Sequence, residues 1–552
     1  MLGTGLKKED QTKSENSTIR GGDERDVEKE LEKPATRLSL WIDNSIPLYL
    51  KMVIKNEVRK KFGSFSLAES QDSADVKVGL DFASKCYGSS EDSYQAPLIL
   101  VPVVSFFTVC DGVAWEDFLK FWNGNPQSLS YITDQGGLPR LLIPEDIFNI
   151  LEGVLGKCEG DVEILSQDSR DSLAYALNKE ENSFSIIPFD WLEPGLKALN
   201  VDNMSVFDRK LNVREYPLAL GIMVEGKNPD IVQELESNIG ETGFSNRDIG
   251  ELVTLNMTGV TALVRGTARK MEKYGVLYPA QDIAEILADA DITHISNEIP
   301  FVEGCTGARD KDLVFCSKPD YIELIKYVGT DVIELTGNHM NDYGHEWMLY
   351  TLDLYDREGL AYFGGGRNLK ESYKPAIFEI SGNRIAFLGC NQFGPAYDWA
   401  GKETPGSTPP NYQDLENVVS DLKNKGYIVI FTFQYAETYD YRPIEQQVID
   451  FRRMIEAGAS IVSGSQSHHP MGVEITEDGF INYGLGNLFF DQMFSLGVRQ
   501  GIIAKHVFYR QRHINTVLIT TMLEDYCRPR LTTPEERAFL LRSIFEGSIR
   551  ET

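Results

Sequence analysis

The stretch Thr336-Gly337-Asn338-His339-Met340-Asn341-Asp342-Tyr343-Gly344 follows directly on an apolar run, Asp331-Val332-Ile333-Glu334-Leu335. A strand that ends in Gly-Asn-His brings two useful groups to the mouth of a sheet. The amide oxygen can ligate a hard cation, and the imidazole can move a proton near neutral pH. Alone, Asn338-His339 reads as a cap and turn for the following helix. Other segments of the same kind, described below, move the expectation to a site. Gly364-Gly365-Gly366 resembles a phosphate cradle, but no helix opens on it, and a tight turn is expected.

The elements that must position such groups are legible from pattern. The chain has 552 residues, with 42% hydrophobic and 25% charged side chains, enough for two or three cores. Its net charge of −29 argues against nucleic acid and anionic membrane surfaces, which need clustered Lys and Arg. No apolar run is long enough to span a bilayer, and MLGTGLKKED has no apolar core of a signal peptide. The seven cysteines form no C-x-x-C pair. Free thiols are expected, although Cys305 and Cys316 flank one loop and could pair in an oxidising compartment.

Residues 1–36 carry 16 charges and few large apolar side chains, and are expected to be a disordered tail with a short helix at Asp23–Lys33. Residues 37–225 alternate strands (Leu38–Ile42, Val76–Leu80, Leu98–Phe107, Val162–Leu165, Phe184–Pro188) with helices (Pro47–Lys60, Trp115–Trp122, Ser169–Asn178). The stretch 226–248 is rich in element breakers and reads as an inter-domain linker, so the N-terminal domain is expected to be separable. A second α/β series fills 249–530, with strands at Val253–Thr258, Ile292–Ser296, Val332–Leu335, Arg384–Leu388, Ile428–Phe433 and Ile461–Ser463. Residues 531–552 read as a helical tail. Phe489, Phe490 and Phe494 read as core, and His506 and His513 as structural.

Several short motifs punctuate the second series. They are Thr258-Gly259 with Arg265, Asn297-Glu298-Ile299-Pro300, Gly337-Asn338-His339 with Asp342, Phe363-Gly364-Gly365-Gly366 and Gln434-Tyr435-Ala436-Glu437. Ala457 to Val462, Gly464 to Glu474 and Tyr483 to Asp491 complete the set. In this order, over about 240 residues, they resemble the CapA-type poly-γ-glutamate capsule-biosynthesis family, a branch of the calcineurin-like metallophosphatase fold. The resemblance implies a β-sandwich flanked by helices, beside an N-terminal α/β domain faintly similar to a type 2 periplasmic solute-binding protein.

The resemblance also implies a ligand set, and this chain departs from it. The family's first ligand is an Asp after Gly259, where Val260 stands; its later His is Gln434, and the first His of its closing pattern is Gln466. Glu298, Asn338 and His468 remain as metal ligands, His339, Asp342 and Glu437 as catalytic groups, and Arg265, Gln434 and Gln466 as substrate contacts. His469 reads as a packing neighbour of His468. Such a set holds at most one divalent ion, weakly. Two functions stay open. One is a metal-dependent hydrolase with an altered site. The other is a binding or assembly factor for a capsule or envelope polymer, with a vestigial site. The implied partner is a polyanionic or envelope polymer, or a small ligand, and the implied location is extracytoplasmic.

Overall fold

The computed structural model describes residues 38–86, 96–133, 136–166, 172–180, 182–241, 244–306 and 313–550. The expected tail at 1–36 and the start of the helix expected at Ser169 lie outside them.

The second half is a sandwich of two sheets. The first runs Ala361–Phe363, Val332–Glu334, Ile292–Asn297, Leu252–Met257, Gln500–Tyr509, Arg512–Glu524, Arg528–Leu531. The second runs Ala376–Ile380, Asn383–Asn391, Ile428–Gln434, Ile461–Ser465, Phe480–Asn482, Val473–Ile475. Alternation along each strand divides its side chains between two layers. Val253, Leu255, Met257, Ile385, Phe387, Ile428 and Ile430 point into the space between the sheets. Their neighbours Ala386, Leu388, Val429, Phe431 and Val462 pack outward on helices Tyr412–Asn424 and Glu445–Glu456. Helices Arg265–Tyr274, Ile322–Tyr327 and His345–Glu358 cover the first sheet against Ile295, Ile333 and Leu335. This is the helix-flanked sandwich that the resemblance implies. Ser381 and Gly382, at φ 47° and 73°, make the hairpin turn between Ala376–Ile380 and Asn383–Asn391.

Residues 38–226 build a mixed sheet ordered Phe65–Leu67, Leu38–Ile42, Val76–Phe82, Ala219–Gly226, Leu98–Ser105, Ser183–Pro188, Arg140–Pro144, Val162–Leu165. The antiparallel return strand Ala219–Gly226 closes the half on itself. The stretch expected to be a linker instead carries a helix, Pro229–Glu241, whose Leu235 and Ile239 are buried in the N-terminal core. The Leu235 to Ile239 spacing of one helical turn is the periodicity that the surrounding Asn, Gly and Ser residues obscured.

The two halves share a core. Phe106 and Phe107, just past the end of Leu98–Ser105, pack on Phe480 and Phe545 at centroid distances of 5.4 to 6.1 Å. Phe545 lies on the C-terminal helix Pro534–Gly547, whose Leu540, Leu541 and Ile544 are buried as well. That helix is therefore a wedge between the halves and not a tail. Its Arg537 donates to both oxygens of Asp111, at 2.5 and 2.7 Å. Tyr509 packs edge-on to Phe189 at 5.2 Å, and Asn515 donates to the Leu196 carbonyl at 2.7 Å.

Cys305 and Cys316 form a disulfide, with Cα atoms 6.1 Å apart, where free thiols were expected. The backbone aligns them: Val302 N–H donates to Ser317 O and Ser317 N–H to Pro300 O, both at 2.9 Å. Closing a loop of this length stabilises by roughly 3 kcal/mol.

The shared core makes a definite prediction. Phe106→Ala should cost about 3–5 kcal/mol, and calorimetry should show one unfolding transition before and after the change. Two separable transitions, with only the first shifted, would mean that the aromatic contact does not couple the halves.

Candidate functional site

The parallel strands of both sheets end at one edge of the sandwich, and the loops there carry the motif residues. Val260–Thr261 pairs with Ser296–Asn297 on one side and Asn487–Phe489 on the other. Gly337 lies so close to Glu298 that a Cβ on it would stand 2.5 Å from the Glu298 Cα. A glycine there lets the Asn338-His339 turn reach the Glu298 loop.

Four of the anticipated residues meet at this point. Gln434, the last residue of Ile428–Gln434, donates from Nε2 to Glu298 Oε1 and to Asn338 Oδ1, each at 3.1 Å. The same nitrogen also bonds Gln466 Oε1. All four side chains are buried. Gln434 Oε1 has no hydrogen-bond partner. Burial pushes the Glu298 carboxyl above its ordinary value, against the pull of the His468 and His339 rings and the Gln434 amide. Gln466 and His468 sit at φ 77° and 51°, left-handed conformations that cost a non-glycine residue roughly 1–2 kcal/mol. His468 is held by Asn487, with Nδ1 2.8 Å from Asn487 Oδ1, and by stacking on Phe490.

His339 stands beside this group. Its Nδ1 lies 2.8 Å from Asp342 Oδ2, and its ring packs on Phe315 at 4.4 Å. Burial favours the neutral imidazole, but the bond and charge of Asp342, with Glu298 and Asp398 behind it, outweigh burial and raise its pKa. Asp342 is fixed in turn by the Phe315 N–H at 2.7 Å.

Arg265 bonds Asp491 at 2.5 Å and lies between the Phe315 and Phe490 rings. Glu437 is exposed and accepts from the Tyr439 hydroxyl. His469 is buried beside the cluster, its Nδ1 on the Pro470 carbonyl and its ring against Tyr441, as a packing neighbour should be. Phe494, expected in the core, is exposed and stacks edge-on with Tyr439.

The donor set does not fit a two-metal centre. Val260 lies in an apolar cluster with Ala262, Val264, Ile299, Phe315 and Phe490, and offers no lone pair. Among the described residues no group of three or more His, Cys, Asp or Glu is placed to hold a metal ion. The oxygens that do converge already accept from Gln434.

Asp398 has no sequence signal, yet it braces the site. It is buried on the loop after Asn383–Asn391 and accepts from the Asn341 N–H at 2.8 Å. Its other oxygen, Oδ2, has no partner. Asn341 Nδ2 donates to the Tyr397 carbonyl at 3.0 Å, so this loop clamps the Asn338–Asp342 turn from behind.

The chain is similar to several known proteins. Residues 254–492 match the family model described as bacterial capsule synthesis protein PGA_cap. The capsule biosynthesis protein CapA of Bacillus anthracis is 28% identical over 264 residues, covering 47% of this chain and 64% of that protein. The PGA biosynthesis protein CapA of Bacillus subtilis (strain 168) is 29% identical over 184 residues, covering 33% and 48%. The chain thus spans less than two thirds of either relative. The NAD nucleotidase of Haemophilus influenzae aligns with a TM-score of 0.32 at 10% identity, over 52% of this chain and 55% of its own. An ABC-type phosphate transport receptor from Vibrio cholerae aligns with a TM-score of 0.28 at 11% identity, over 38% and 96%.

Asp398 supplies a pH test. Burial, with the Asp342 charge, raises its pKa to about 7, against the pull of the Asn341 N–H and His339. The folded form therefore holds a proton that the unfolded chain has released. The penalty is absent below the unfolded pKa near 4, grows as pH rises, and is complete above about 7. Between pH 4 and pH 8, Asp398→Asn should gain roughly 2–4 kcal/mol on the unmodified protein. Urea unfolding at the two pH values measures it. A pH-independent difference would mean that Asp398 is ionised throughout.

Proposed function

We propose that this chain, whose residues 254–492 form a PGA_cap-family domain, serves the biosynthesis of a capsule or cell-envelope polymer as a binding or assembly component and not as a two-metal hydrolase. The observation that carries this reading is Val260. A buried valine in an apolar cluster replaces the carboxylate that a bridged metal pair needs, and its neighbours close over it. What remains at the mouth suits recognition. Tyr343, Phe393, Tyr397, Tyr439 and Phe494 are exposed on loops that follow the motif strands, and Tyr439 and Phe494 pack edge-on at 5.3 Å. Exposed aromatics of this kind suit a binding surface. The Cys305–Cys316 disulfide fits an oxidising location outside the cytoplasm. Among the described residues no helix is long and apolar enough to cross a membrane.

A second reading, hydrolysis without a metal pair, has one observation in its favour. His339 keeps an acid–base partner in Asp342 and remains partly exposed.

One set of assays separates the two. The unmodified chain should bind poly-γ-glutamate or a capsule fraction in a sedimentation assay. Tyr397→Ala with Tyr439→Ala should weaken binding by about tenfold. No turnover of phosphoesters or polyglutamate should exceed that of His339→Ala. Turnover that falls by ~10² in His339→Ala, but not in His469→Ala, would instead make the chain an enzyme.

A further inference from the structure

We propose that Gln434 is a built-in occupant of a cation position: its amide nitrogen stands where an ion would stand, and this chain has replaced a bound ion with one of its own side chains. The inference rests on the reading that the site does not run two-metal chemistry, and it says what the site does instead.

Oxygens from three separate loops, Glu298 Oε1, Asn338 Oδ1 and Gln466 Oε1, converge on a single nitrogen. A primary amide has two hydrogens, so three acceptors exceed what it can satisfy. Several oxygens around one centre, at least one of them anionic, is the arrangement that a hard cation selects.

The orientation of the amide says the same. Turned over, Gln434 would face Glu298 Oε1, Asn338 Oδ1 and Gln466 Oε1 with a fourth oxygen. It points its nitrogen inward although its own oxygen is then left buried without a partner. The converging oxygens therefore decide the orientation, at the expense of Gln434 itself. Among the described residues these three oxygens accept no other hydrogen bond. Val260 is apolar, and His468 directs Nδ1 to Asn487. Gln434 cannot swing aside easily. Its carbonyl accepts from the Gln392 and Phe393 N–H groups, and its strand pairs on both sides. The backbone that carries the plug is thus fixed at the strand end.

Two consequences follow. The unmodified chain should be indifferent to divalent ions, and replacing the plug should open an ion site. Gln434→Glu supplies a second carboxylate and removes the donor. In EDTA two buried carboxylates repel one another, and an ion relieves them.

The test measures melting midpoints and bound metal after dialysis, with Ca²⁺ and Mn²⁺ as probes. The unmodified chain should keep the same midpoint in EDTA and in either ion and retain no metal. Gln434→Glu should melt lower in EDTA, recover by several degrees with ion, and retain about one ion per chain. Combining it with Glu298→Gln should cost about tenfold in ion affinity. Gln434→Ala removes the donor without adding charge. It should bind the same ions more weakly, and it covers the case in which Gln434→Glu does not fold. An ion retained by the unmodified chain would overturn the inference. So would a folded Gln434→Glu with no response to ion, or failure of ions to recover either variant. These readouts need no polymer, so their failure and that of the polymer-binding reading are distinguishable.

Discussion

A carboxylate buried as completely as Glu298 must be compensated, and the site is organised around how this chain compensates it. Its backbone is pressed against Gly337, so it cannot retreat to solvent. One oxygen accepts from a neutral amide, a weaker partner than a divalent ion. The carboxyl answers by shifting toward its protonated form. The same shortage of positive charge explains why His339, with Asp342 beside it and Glu298 near, is drawn toward its protonated form despite burial. With amide groups and a valine around it, Glu298 sits in the electrostatics of a polar core.

That shape survives because it is anchored from outside the site. Asp398 and Asn341 tie the Asn338–Asp342 turn to the neighbouring loop. Asn487 holds His468 from the far side. Deeper down, Ser296 and Ser465 bridge the two sheets at 3.2 Å, and His294 meets Glu334 at 3.1 Å. These groups are buried and held by bonds within the protein, although Asp398 Oδ2 and Asn341 Oδ1 have no partner. The bonds fix the strand ends from outside the site. The left-handed backbone at Gln466 and His468 is tolerated for the same reason: the surroundings over-determine it.

The N-terminal half is bound into this architecture through aromatic side chains and one wedge. Phe106 and Phe107 leave their own sheet to enter the sandwich core, and Pro534–Gly547 closes over them. The Asp111–Arg537 pair is bidentate and partly buried, so it adds registry as much as energy.

Much of this was legible in the sequence. Continuous apolar runs located Ile428–Gln434 and Ile461–Ser465 to within two residues, and helical periodicity located Trp115–Trp122. Both patterns are local to their segments. The order of the strand-end motifs also marked Glu298, Asn338, Gln434 and Gln466 as neighbours. Their partnership was not legible. Gln434 and Glu298 are separated by 136 positions, and Gln434 and Asn338 by 96. Which oxygen faces which nitrogen depends on where strands from two sheets stop in space. The same holds for Asp398, which no motif announces, for the cysteines, paired by a backbone alignment, and for the helix at Pro229–Glu241, whose two buried residues mean little without the sheet they cover. By itself the sequence determined which elements form and which residues stand at their ends. Only the tertiary structure decided what those residues bond, because hydrogen bonds between distant strands are chosen by three-dimensional proximity, and periodicity along a chain does not encode that.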